Sequence, residues 1–143
     1  MRVICKQTTS SGFDLKEVTT VLSNDFDYNF GGHGIELNKE YIVMGIAMYK
    51  DSNCLYYLVD TSGRPNWFPY LLFFVSDNTV PQNWFVRMNG KKKNSDIYLV
   101  QGFQELCNDE KFYDQLIDRN DEAMQTYFKR KIELEKSLEE TIR

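Results

Sequence analysis

The 143-residue chain reads as an α+β protein, a small antiparallel β-barrel of about five strands followed by two or three C-terminal α-helices. Two observations carry this reading. Short apolar runs separated by turn residues fill 41–101, and the apolar period then lengthens to a helical one from Gly102 onward. The length suits one domain with one sizeable core. Within 1–143 the reading separates an N-terminal strand and loop (1–40), a barrel core (41–101) and C-terminal helices (102–143).

Met1 to Cys5 is read as a short strand with Val3 and Cys5 on one face. Residues 6–34 are rich in Thr, Ser, Asn, Asp and Gly and are read mainly as an ordered loop. A short helix over 14–22 is disfavoured by Thr19, Thr20 and Val21, whose branched side chains lose rotamer freedom in a helix. Tyr41 to Tyr49 is read as one strand bent or bulged at Gly45. Asp51-Ser52-Asn53 turns the chain, and Cys54 to Asp60 returns. Ser62-Gly63-Arg64-Pro65 opens a loop before strands at Leu71 to Val75, Trp84 to Met88 and Ile97 to Gln101.

Phe103, Leu106, Cys107, Tyr113, Leu116 and Ile117 recur at helical spacing, with Asn108 or Asp109 as a cap between two helices. A long, partly solvated helix begins near Asn120-Asp121 and keeps Met124, Tyr127, Phe128, Leu134 and Leu138 on one side. Lys129/Glu133, Lys131/Glu135 and Lys136/Glu140 are spaced as ion pairs along it.

The barrel block is aromatic and chemically bare. Tyr41 to Tyr98 holds no histidine, no glutamate and a single cysteine, and its large rings supply buried area rather than reactive groups. His33, flanked by glycines, is the only histidine in the chain and reads as a loop residue. Phe30-Gly31-Gly32-His33-Gly34 lacks the Gly-Lys-Ser/Thr of a phosphate loop. Cys5, Cys54 and Cys107 are odd in number and widely spaced, which fits neither a disulfide framework nor a metal site; Cys107 is the one to test as a nucleophile. The reading is therefore a protein that is not an enzyme and takes no cofactor and no metal. It is expected in the cytoplasm, with no secretory leader and no apolar stretch of membrane-spanning length.

Net charge is -4, carried by the ends. There are four basic and six acidic side chains in 1–40, six and four in 41–100, and seven and eleven in 101–143. Lys91-Lys92-Lys93 is the only basic run and reads as a solvated hairpin tip, so neither nucleic acid nor a membrane is expected as a direct partner. If residues 109–118 are helical, Glu110, Asp114 and Asp118 line one face, opposite Phe112, Tyr113 and Leu116. Asp25, Phe26, Asp27 and Tyr28 alternate carboxylates with rings in the N-terminal loop. Carboxylates steer a basic partner and rings supply contact area, so these seven residues are the expected partner contacts.

The segments Leu37-Asn38-Lys39-Glu40-Tyr41-Ile42-Val43-Met44-Gly45-Ile46, Tyr56-Tyr57-Leu58-Val59-Asp60, Asn66-Trp67-Phe68-Pro69, Leu72-Phe73-Phe74-Val75 and Pro81-Gln82-Asn83-Trp84 carry a resemblance. Over residues 35–101 the chain resembles small bacterial proteins with an SH3-like barrel core, among them immunity proteins of contact-dependent growth inhibition and related toxin systems. The resemblance implies a protein that binds and neutralises a cognate toxin domain, a nuclease, by covering its active site or substrate groove. The alternative is a non-catalytic peptide- or ligand-binding adaptor that uses Trp67, Tyr70 or Trp84 on the barrel surface.

Overall fold

The computed structural model describes residues 1–6, 34–50, 55–90 and 97–142. The expected contacts Asp25, Phe26, Asp27 and Tyr28 lie outside these residues. So do the 14–22 segment, His33, Cys54 and Lys91 to Lys93.

The chain is α+β, with eight strands in two antiparallel sheets and three helices among the described residues. β1 (Arg2–Cys5) buries Val3 and Cys5, as its alternation requires. It lies between β2 (Glu40–Ile42) and β6 (Phe73–Asp77) in a three-stranded sheet. The second sheet has five strands in the order β5-β4-β3-β8-β7. These are β3 (Gly45–Tyr49), β4 (Leu55–Thr61), β5 (Arg64–Pro69), β7 (Phe85–Met88) and β8 (Ile97–Gly102).

The segment expected as one strand over Tyr41 to Tyr49 is divided between the sheets. The Val43 amide donates to Met1 O at 3.0 Å, and the next amide, Met44, donates to Leu58 O at 2.8 Å. The chain changes sheets between those two residues, a corner of the kind by which strands pass from one packed sheet to another. Val43 consequently faces one core and Met44 the other.

Two further strand assignments change. Arg64–Pro69 is a strand, not a loop, paired with β4 along its whole length from Tyr56↔Pro69 to Thr61↔Arg64. Its prolines obscured it, yet β5 is the outer strand of its sheet, where a missing N–H is tolerated. Ser62 and Gly63, with φ of 51° and 77°, form the two-residue turn that precedes it. Leu71 and Leu72 belong to a 3-10 turn (Tyr70–Leu72) and not to a strand; β6 starts at Phe73.

β4 is buried on both faces, so it reads as a continuous apolar run rather than an alternation. On one side Tyr57, Val59 and Phe68 meet Val3, Cys5 and Phe73 of the smaller sheet. On the other, Met44, Leu58 and Val100 meet the helices α1 (Gln104–Asn108), α2 (Phe112–Ile117) and α3 (Asp121–Ile142) through Leu106, Leu116 and Tyr127.

Asp109 ends α1 through its amide to Glu105 O. It opens the next turn by accepting the Lys111 amide at Oδ1, 3.0 Å. Asn120 caps α3, its Oδ1 accepting the Ala123 amide at 3.1 Å. Of the expected helix-surface pairs, Lys131–Glu135 forms at 4.0 Å, but Lys131 is closer to Asp60 of β4, at 2.7 Å. Glu133 pairs with Arg130 at 3.1 Å. Among the described residues no helix is long and apolar enough to cross a membrane.

Candidate binding groove

The sheet-to-sheet crossing and the length of α3 leave a groove of about 590 Å³ between the β6–β7 connection and the second half of α3. Its apolar floor is formed by Met1, Met44 and Phe103, with Trp84 on one side. The connection is shaped locally. Asp77 Oδ1 accepts the Thr79 amide at 2.9 Å, and the Trp84 amide donates to Pro81 O at 3.3 Å. Leu134 and Leu138, one turn apart on α3, supply the opposite wall. Gln82, Asn83, Glu133 and Ser137 form a polar rim.

Arg130 also lines the groove, but its guanidinium is committed. Nε donates to both Glu105 oxygens at 2.8 and 2.9 Å, Nη2 donates to Glu105 as well, and Nη1 reaches Glu133 Oε2 at 3.1 Å. That neighbour holds the Glu105 carboxyl below the usual carboxylate range. Two carboxylates around one arginine leave no net positive charge to attract an anion. The groove is therefore suited to apolar side chains with polar neighbours rather than to phosphate. No group of three His, Cys, Asp or Glu side chains able to hold a metal occurs among the described residues.

Cys107 lies elsewhere, on the buried face of α1. Its thiol is 3.2 Å from Phe85 O, 3.6 Å from Gly102 O and 3.7 Å from Val100 O. Burial pushes its pKa up, so the thiol is held protonated as a weak donor to carbonyls.

Glu110, Asp114 and Asp118 are all exposed. The helix that was to align them is shorter than 109–118: Asp114 lies within α2, Glu110 in the turn before it, and Asp118 caps its end. Asp118 follows Asp114 by one helical turn, its amide donating to Asp114 O at 2.9 Å, whereas Glu110 lies outside the helix.

The three rings proposed as a barrel surface part company. Trp67 is half-buried and stacked on Tyr113 of α2, centroids 5.5 Å apart and planes 28° from parallel. Tyr70 packs against the inter-sheet core, and so does Trp84, but only Trp84 among the three lines the groove. The groove itself was missed in the sequence. Its walls lie about fifty residues apart along the chain, and only the Asp77–Thr79 and Pro81–Trp84 turn chemistry was legible locally.

No family model, curated protein sequence or solved structure matches this chain.

Proposed function

We propose that this protein is a cytoplasmic bacterial immunity protein that binds a cognate toxin domain, a nuclease, and covers its active site or substrate groove without catalysis. The SH3-like reading of the five-stranded sheet belongs to the same proposal. The observation that carries it is that Glu110, Asp114 and Asp118 are all exposed, as are Asp121 and Glu122 at the start of α3. A nuclease surface that holds phosphate is basic, and a facing acidic surface raises association rate and selectivity.

The test starts from the toxin domain encoded in the adjacent reading frame, purified and mixed with this protein. A triple charge reversal, Glu110→Lys with Asp114→Lys and Asp118→Lys, is expected to slow association at least roughly tenfold at low salt and far less at high salt. Unchanged kinetics would remove this surface from the interface. Absence of any complex would remove the immunity reading itself. The groove favours a second reading, a peptide- or ligand-binding adaptor, because it presents Trp84 beside an apolar floor. A partner that shields Trp84 fluorescence and ignores the charge reversals would support that reading instead.

A further inference from the structure

The groove between the β6–β7 connection and α3 has one regular wall. Arg130, Glu133, Leu134, Ser137 and Leu138 line it at i, i+3, i+4, i+7 and i+8 of the helix, so a stretch of α3 roughly 12 Å long presents one continuous face to the cleft. The first half of α3 spends its apolar residues on the helix-side core, with Ala123 and Tyr127 buried and Met124 and Phe128 packed beside them. Leu138 belongs to neither core among the described residues; it is half-buried and lines the groove together with Trp84.

The nature of this wall limits what can fill the groove. A helix has bonded its backbone groups internally, so α3 offers an occupant side chains and no free ladder of N–H and C=O groups. An extended strand laid along it would leave its own backbone unpaired on that side. A second helix arrives with its backbone satisfied and needs only an apolar stripe, for which Leu134 and Leu138, four residues apart, form a ridge.

Charge then selects among helices. Over residues 133–140 the exposed charged side chains of α3 are Glu133, Glu135, Glu139 and Glu140 against Lys136 alone. The cations nearby are already matched. Arg130 lies between Glu105 and Glu133, and Lys131 is held by Asp60 at 2.7 Å. The Met1 amino group lies in the field of Asp77, whose carboxyl the Thr79 amide holds below the usual carboxylate range. On the peptide-binding reading given above, we propose that the groove docks a basic amphipathic helix, its apolar stripe seated on Trp84, Leu134 and Leu138 and its Lys or Arg side chains set against Glu133 and the acidic end of α3. An acidic helix would meet like charge along the same wall.

Dye-labelled synthetic peptides test this: a helix patterned from leucine and lysine, the same helix with glutamate in place of every lysine, and a scrambled lysine peptide with no apolar face. Fluorescence anisotropy with the wild type should show the leucine–lysine helix binding at least roughly tenfold more tightly than either of the others. Leu138→Asn, at a half-exposed position where circular dichroism would verify the fold, should weaken that binding roughly tenfold. In the Trp67→Phe variant, Trp84 emission should move to shorter wavelength as the helix shields the indole. Equal affinity for the glutamate helix would leave a peptide site and overturn its preference for a basic one. Equal affinity for the scrambled peptide, or binding that ignores Leu138→Asn, would mean attraction by charge without docking in the groove and would overturn the proposal as well. Binding of none of the peptides would remove the peptide-binding reading together with it.

Discussion

Gly45 and Gly102 face each other across β3 and β8, and together they make the dent in which Leu106 sits. A Cβ on Gly45 would lie 2.6 Å from Leu106 Cδ2 and 3.2 Å from the Gln101 carbonyl; one on Gly102 would lie 2.8 Å from Leu106 Cδ2 and 2.9 Å from Met44 O. The absent side chains let α1 approach the sheet closely enough to bury Leu106 completely. The glycine at 45 was legible as a bend, but its reason is this contact, which depends on a residue some sixty positions away. Gly45→Ala is expected to destabilise the protein by about 1–3 kcal/mol, because backbone on one side and a packed leucine on the other cannot both retreat. Leu106→Ala alone costs about 2–5 kcal/mol. The double variant should cost less than the sum, since removing the leucine makes room for the new methyl. Urea unfolding of the four proteins measures this, and additive costs would show that Leu106 is not what Gly45 accommodates.

At the scale of elements, the helices are held to the sheets by polar clamps as well as by apolar faces. Arg119, between α2 and α3, has φ of 60° and sends its guanidinium back to Pro65 O and to Asn66 Oδ1 at 2.8 Å on β5. Lys131 and the buried Tyr127 both meet Asp60 at the far end of β4, at 2.7 and 3.1 Å. Left-handed backbone costs a non-glycine residue about 1–2 kcal/mol, so Arg119 is retained for its contacts against its conformation. Arg119→Ala loses the contacts and keeps the strain; Arg119→Gly loses the contacts and relieves it. The glycine variant should therefore be more stable than the alanine variant by about 1 kcal/mol in urea unfolding, while both fall below the wild type. Equal stabilities would mean the turn stores no strain. These clamps also mark the limit of what was legible. Periodicity located α1, α3 and most strands because each buries a face of its own. It missed β5, whose prolines are permitted only by an outer position, and it overextended the helix around Asp114, whose ends are fixed by Asp109 and Arg119. The groove was illegible for the same reason, since its two walls meet only through the fold.

Across the whole molecule, the central consequence of the sheet crossing is that two cores share one strand. Leu58 points toward the helices and its neighbour Val59 toward the smaller sheet, both fully buried, so β4 is a wall of each core at once. Neither core can lose β4 without exposing the other, which makes a single cooperative unfolding transition the expected behaviour. The tryptophans provide a direct reading, because Trp84 packs against the inter-sheet core and Trp67 against the helix-side core. Trp67→Phe leaves a fluorophore packed on the first core, and Trp84→Phe one packed on the second. Within each single-tryptophan protein, the urea midpoint seen by fluorescence should coincide with that of far-ultraviolet circular dichroism. Leu58→Ala, introduced into both, should cost about 2–5 kcal/mol. The shift should be as large from Trp84, across the sheet from the cavity, as from Trp67 beside it. A shift confined to the Trp67 signal would mean that the cores unfold separately, and that the three-stranded sheet stands without the helices.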